Sequence, residues 1–302
     1  MRLFTFVSLL SSAVLAAPPV VGTPAPVDPV VTVPSRNGNG LAFAQGTSGG
    51  GVSLVVWVDT RVPNGTRKIW ATRVDAVGQP LDKPMLELGD GEGTSNDVSP
   101  RVAFNGTHFV VAWVAPGQRS ILYRRVSPQG ALIDAAPRIA VTLSTATFKG
   151  VNVVSDGAGT TLITWVKTTG VNASTVEAKR FDATGAALDA TALSISPTPS
   201  GLRSGAVFDG TQFMLTFLTG TNNAYTLSAR RISLTGTLGT VTNFFTLGAN
   251  YANTTMACAP AGCLLAWPSG TQVMGARFAN GALIDTTPLF ANAPMALGNC
   301  YL

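Results

Sequence analysis

The sequence predicts an all-β protein, a five-bladed β-propeller of four-stranded antiparallel blades, and three observations predict it. A pattern recurs five times at a spacing of about fifty residues. Each copy holds short runs of β-branched and aromatic residues separated by Gly, Pro and Asn turns. Beyond residue 35, no stretch shows the 3.6-residue apolar period of an amphipathic helix.

The repeat is read from columns. Trp57, Trp113, Trp165, Phe217 and Trp267 form an aromatic column at spacings of 56, 52, 52 and 50 residues. An arginine follows each: Arg73, Arg125, Arg180, Arg231 and Arg277. A glycine comes next, at Gly78, Gly130, Gly185, Gly236 and Gly281. An aliphatic-Asp pair then closes the pattern at Leu81-Asp82, Ile133-Asp134, Leu188-Asp189 and Ile284-Asp285; the fourth copy has Gly239-Thr240 instead.

Each unit reads as four strands. In the second copy Arg101–Phe104 is extended, and Asn105-Gly106 is a strong hairpin signal. His108–Trp113 and Ile121–Val126 supply the next two strands, and Ile133–Val141 the fourth. Central strands such as Leu54-Val-Val-Trp57 and Leu162-Ile-Thr-Trp165 are near-continuous apolar runs, which suits burial on both faces. Sheets stacked face to face in a ring meet that need. The copies fall at approximately 36–93, 94–146, 147–200, 201–250 and 251–302, with nothing left for a sixth. Tandem β-sandwiches are the alternative for short strands at regular spacing.

The pattern W-x-D-x-R, then R-V-x-x-x-G-x-x-L-D, is carried best by Trp57-Val-Asp59-Thr-Arg61 and Arg73-Val-Asp-Ala-Val-Gly78-Gln-Pro-Leu-Asp82. It resembles the repeat of secreted, propeller-like proteins common in myxobacteria and related bacteria. The resemblance spans about nine-tenths of the chain. It implies export and a propeller, and no particular chemistry.

Two segments precede the repeat. Residues 1–16 read as a secretory signal: Arg2 is followed by an apolar stretch from Leu3 to Leu15, and Val14-Leu15-Ala16 suits cleavage after Ala16. Residues 17–35 carry Pro18, Pro19, Pro24, Pro26, Pro29 and Pro34. Proline fixes φ and removes a donor, so this segment is expected to be an extended tether. The predicted protein is therefore secreted.

Composition excludes several classes. Of 302 residues, 46% are hydrophobic and 12% charged, which does not suit a disordered chain. The net charge of +5 comes from 20 scattered Lys and Arg without a dense patch, so no nucleic-acid partner is expected. The longest apolar run is too short for a membrane span. His108 is the one histidine, and no zinc or phosphate-loop motif occurs, so no catalytic residue, metal or cofactor is assigned. A glycoside hydrolase would need paired carboxylates across a cleft, and Glu177 alone of the acids outside the columns sits inside a strand. Asp90–Asp97 is an acidic, Gly-rich loop whose spacing matches no known calcium loop.

The remaining expectations concern stability and binding. The aromatic column should lie between blades, and Arg73–Asp82, Arg125–Asp134 and Arg180–Asp189 should pair across a hairpin. Cys258 and Cys263 bracket a hairpin turn and are expected to form a disulfide, leaving Cys300 free or able to pair with another chain. Sequons stand at Asn64, Asn105, Asn172 and Asn253 and would matter only in a eukaryotic host. Binding is expected where the repeat varies. Trp70, the one Trp outside the column, shares a strand face by the period of two with a sparse basic set, Arg124, Lys179 and Arg230. The expected function is a non-enzymatic binding or adhesion module for an extracellular ligand such as an anionic glycan or surface polymer. The alternative is a structural envelope protein.

Overall fold

The computed structural model describes residues 41–59, 67–92, 99–170, 173–196, 204–221, 224–247, 254–259, 262–269, 272–279, 282–285 and 287–291. The signal, the tether and Cys300 lie outside them, as do Asn64, Asn172 and Asn253.

Five antiparallel sheets follow one another along the chain. The first is β1 (Leu41–Gly49), β2 (Val52–Asp59), β3 (Lys68–Val74) and β4 (Leu86–Asp90); the second is β5 (Arg101–Phe104), β6 (Phe109–Val114), β7 (Ser120–Val126) and β8 (Arg138–Thr142). The third is β9 (Thr147–Ser155), β10 (Thr161–Gly170), β11 (Ala173–Phe181) and β12 (Leu193–Ser194); the fourth is β13 (Ser204–Phe208), β14 (Phe213–Thr221), β15 (Ala224–Ile232) and β16 (Thr242–Leu247). The fifth is β17 (Thr255–Ala259), β18 (Gly262–Ser269) and β19 (Gln272–Ala279), with β20 (Ala282–Leu283) and β21 (Leu289–Ala291) pairing opposite ends of β19. First strands of successive sheets lie side by side, β1 with β5, β5 with β9, β9 with β13 and β13 with β17. These are the blades of a β-propeller, each passing its strands outward in chain order.

Turn chemistry opens the second, third and fourth blades. Asn105 Oδ1 accepts from the N–H groups of Thr107 and His108, at 3.0 and 2.7 Å. Asp156 and Asp209 cap the matching turns in the same way. These side chains replace backbone partners that a tight turn cannot supply.

Packing between sheets explains the central apolar runs. In β6, Phe109, Val111 and Trp113 pack with Leu54, Val56, Ile69 and Leu88 of the first blade. The alternate residues Val110, Ala112 and Val114 pack with Trp165 and Phe148 of the third. Every residue of β6 is buried, so the strand has no wet face to advertise. A sandwich would leave one side of each sheet in water. Phe217 packs against Leu162, Val166 and Val176 of the third blade, and Trp267 against Met214, Leu218 and Leu227 of the fourth. Trp113, Trp165, Phe217 and Trp267 thus each wedge against the preceding blade.

The arginine column joins blades as well as hairpins. Arg125 donates from Nη2 and Nε to Asp134, at 2.7 and 3.1 Å, while its backbone N–H also reaches Asp134. Its remaining arm, Nη1, crosses to the Ala183 carbonyl in the next blade's turn, at 3.1 Å. Arg73 grips Asp82 and crosses to Pro128 O at 3.0 Å; Arg180 grips Asp189 and crosses to Leu234 O. Burial pushes the Asp134 carboxyl up, but the Arg125 hydrogen bonds outweigh it and hold the group below its ordinary 3.8. The fourth blade differs because Gly239-Thr240 offers no carboxylate. Arg231 turns instead to Asp209 of its own first hairpin, at 2.8 Å, and its buried Nε has no partner.

One boundary expected from sequence is shifted. The second blade's fourth strand starts at Arg138 rather than Ile133. Asp134 is drawn inward onto Arg125, so residues 133–136 bend, and only Leu132 bridges back to Val126 before the strand begins.

Candidate functional site

The variable column proves to be the cross-strand partner of the aromatic column. The register pairs Trp57 with Trp70, Trp113 with Leu122, Trp165 with Glu177, Phe217 with Ser228 and Trp267 with Met274. From the second blade on, these residues therefore share the face that meets the preceding blade, and so do the positions two residues on, including Arg124, Lys179 and Arg230. The period of two correctly put them on one face; it could not tell which face is covered.

That placement governs the arginines. Arg124 spends Nε on Asp134 O at 3.0 Å and Nη2 on Ala135 O at 2.9 Å, and Nη1 crosses to Leu88 O at 3.1 Å. Arg230 does the same with Gly239 O, Ser194 O and Ile195 O. Both clamp the preceding blade's outer strand through carbonyls. Lys179 is half-buried on β11, in the third blade. The four residues stand on the third strands of four different blades' worth of repeat, one to each copy, with Trp70 on β3 and Arg124 on β7.

Trp70 has the most chemical surroundings. It is half-buried, and its indole N–H has no acceptor. Lys68 lies two residues before it on the same strand face, and Glu87 faces it across β4. Lys68 Nζ bridges Glu87 Oε1 at 2.9 Å and Asp90 Oδ1 at 2.6 Å. Its hydrogen bonds to Asp90 first and Glu87 second raise the lysine's pKa above 10.5, keeping it cationic. Next to this group Arg67 holds Glu92 at 3.1 Å. The end of the first blade thus offers an aromatic plate bordered by one ammonium and two carboxylates. Sequence reasoning found Trp70 and missed this border, although stepping back two residues on the strand would have reached Lys68.

The other candidates resolve into local roles. Glu177 accepts from Trp165 Nε1 at 3.0 Å and from Lys167 Nζ at 2.5 Å, so it neutralises a lysine and satisfies a buried indole. His108 is half-buried, not an exposed edge residue, and its Nδ1 is buried without a partner. Burial and then Arg125 hold its pKa below 6.5. Asn105 is 1% exposed and occupied in its turn, which leaves no room for a glycan there. Asp90 and Glu92, two acids of the Asp90–Asp97 loop, are both engaged by cations; residues 93–98 lie outside the described set. Among the described residues no group of three His, Cys, Asp or Glu is placed to hold a metal, and no helix is long and apolar enough to cross a membrane. Cys258 and Cys263 form the expected disulfide, facing each other across the β17–β18 hairpin with Cα atoms 4.0 Å apart.

Comparison with known proteins bears on fold. No protein-family model matches the chain, and no curated protein matches its sequence. Among solved structures it is similar to a subtype N11 neuraminidase-like protein from A/flat-faced bat/Peru, with TM-score 0.51 and 11% identity over 84% of this chain and 79% of that one. It also matches a fucose-specific lectin from Aleuria aurantia (TM-score 0.49, 13% identity, 83% of this chain and 78% of that one). A third match is the acylaminoacyl peptidase of Pyrococcus horikoshii (TM-score 0.49, 8% identity), where 80% of this chain spans 39% of the other. At 11% identity the likeness to the neuraminidase-like protein is one of fold, and it agrees with the five four-stranded units described above: this chain has the architecture of a β-propeller.

Proposed function

We propose that the protein is an exported, non-enzymatic propeller that binds an extracellular glycan or surface polymer. The observation that carries this reading is Trp70, a half-buried aromatic set beside the Lys68–Glu87–Asp90 group. A sugar ring stacks its C–H face on an aromatic plate, and its hydroxyls donate to flanking carboxylates and accept from a flanking ammonium; few convergent polar groups on an apolar floor are the usual make-up of such sites. The disulfide in the last blade fits an oxidising compartment. Arg124 and Arg230 serve this reading as clamps that set the blades, and Lys179 as a half-buried cation in the third blade.

A glycan array with the purified chain tests the proposal. Binding is expected, and Trp70→Ala, which removes the aromatic plate, should weaken it at least several-fold. An empty array supports the structural-protein alternative. Turnover on a polysaccharide panel would favour an enzyme. Export is checked by the N-terminal residue of secreted material, expected just after Ala16.

A further inference from the structure

The first blade departs from its repeat at one place, and the departure is one of charge. In the first, second and fourth blades the third and fourth strands pair with the same slip in register, between Ile69 and Trp70, Ile121 and Leu122, and Leu227 and Ser228. The backbone frame is therefore common, and the side chains on it can be compared one for one. Ahead of the slip, the second and fourth blades pair Ser120 with Thr142 and Thr226 with Thr246; the first pairs Lys68 with Asp90. Behind it they pair Leu122 with Ile139 and Ser228 with Asn243; the first pairs Trp70 with Glu87. Neutral residues satisfy the frame in those two blades. The sheet itself does not call for an ammonium, two carboxylates and an indole.

The charges of this group do not cancel. Lys68 Nζ is shared by Glu87 and Asp90, at 2.9 and 2.6 Å, so one negative charge is left over. The lysine is also the least accessible of the three, its side chain 21% exposed against 47% for Glu87 and 52% for Asp90. It engages one oxygen of each carboxylate, Oε1 and Oδ1, and the second oxygen of each can still accept. The neighbouring Arg67–Glu92 pair is balanced. Arg124 reaches this strand at the carbonyls of Glu87 and Leu88, from the second blade. Leu88 packs with Trp113 on that side, and alternation along the strand turns Glu87 to the other. Among the described residues no cation lies over the Trp70 ring; the cation–π contact is Arg138 over Tyr123. An incoming ligand meets an aromatic plate edged by carboxylate, with the ammonium drawn back between the acids.

We propose that this site takes a glycan carrying free amino groups, a glucosamine polymer in chemical class, with a sugar ring stacked on Trp70 and its ammonium donating to Glu87 and Asp90. The inference rests on the reading of Trp70 as the binding plate and fixes the sign of the ligand. That sign is opposite to the anionic polymer expected from Arg124, Lys179 and Arg230. An ammonium is attracted both by carboxylates and by the negative face of an indole. A uronate or a sulfated sugar would bring like charge to the same acids.

Titration calorimetry of the purified chain with oligomers of equal length tests it, using glucosamine, N-acetylglucosamine and galacturonate oligomers and a lysine peptide. The titrations are run at mildly acidic pH, where the sugar amines are charged and the carboxylates still ionised. The glucosamine oligomer should bind several-fold tighter than its acetylated form, the galacturonate oligomer should not bind, and added salt should weaken the complex. Glu87→Gln and Asp90→Asn should each weaken it several-fold. Lys68→Met keeps the packed stem and removes the competing charge, so it should tighten binding. Melting curves of the three variants confirm that each is folded. Equal binding of the glucosamine and acetylated oligomers, lost in Trp70→Ala, would overturn this inference and leave the glycan reading standing. So would tightest binding by galacturonate. A lysine peptide bound as tightly as the glucosamine oligomer would reduce the site to ion exchange and overturn it as well. Silence from the glucosamine oligomer sinks the inference outright, and the glycan array then decides the wider reading.

Discussion

The first three blades and the last two are built from the same columns but held in different ways. Arg73, Arg125 and Arg180 each join an aspartate in their own hairpin to a carbonyl of the next blade. The second and third blades add Tyr123 Oη donating to Gly185 O at 2.6 Å and Arg138 Nη1 donating to Thr184 O at 2.9 Å. In the fourth blade the arginine folds back on Asp209, and in the fifth it keeps its aspartate but stands in water. The last blade carries the disulfide instead, within its own first hairpin. A recurring residue type therefore does not guarantee a recurring contact. One missing aspartate in the fourth copy redirects the guanidinium, and in the last blade Arg277 Nη1 has no acceptor among the described residues.

The largest test of this contrast is the packed interface itself. Trp165→Ala should cost about 3–5 kcal/mol in denaturant unfolding, because a fully buried ring wedged against the second blade leaves a cavity. A loss below about 1 kcal/mol would break the account of how blades are joined. Next come the aspartates. Asp134→Asn removes a buried, charge-assisted set of hydrogen bonds and should cost about 1.5–3 kcal/mol. Asp285→Asn, beside a mostly exposed Arg277, should show a clearly smaller loss, and equal losses would erase the distinction between the two regions.

Reducing the Cys258–Cys263 disulfide should lower stability by roughly 2 kcal/mol, the chain-entropy value for so short a loop. Hydrogen exchange should rise first in residues 255–269, while the second and third blades keep their protection. The smallest effect is on pH. His108 has a folded pKa below 6.5, so the unfolded chain takes up a proton first as pH falls. Stability should decline from about pH 6.5 down to the folded value, and His108→Gln should flatten that slope. At lower pH a second decline is expected from Asp134 and Asp209. Their folded carboxyls titrate below 3.8, so the stability they contribute is present above 3.8 and is lost as pH falls through the folded values.

Much of this was legible in the residues. The aromatic column, the Arg–Asp spacing and the Asn-Gly and Asp-Gly turns are local signals whose periods match the blade, and the disulfide follows from two cysteines flanking one turn. Three things were not legible, each for a physical reason. The face shared by Trp70, Arg124, Lys179 and Arg230 was visible, but its covering by the preceding blade at Arg124 and Arg230 depends on tertiary packing. Arg124 and Arg230 looked free because their partners are carbonyls, which every residue possesses. The border of Trp70 was missed because Lys68, Glu87 and Asp90 come together only through the β3–β4 register.

The arginine latches between blades have a consequence for how such a protein can drift. Their acceptors are main-chain oxygens, supplied by Pro128, Ala183 and Leu234, which have no side-chain chemistry in common. Nearly any residue can stand there without loosening the joint, provided the glycine two places on, against which the guanidinium lies, is kept. Coupling between blades would then leave almost no covariation between the positions it connects, and a search for co-evolving pairs would pass over the contacts that keep the blades in line.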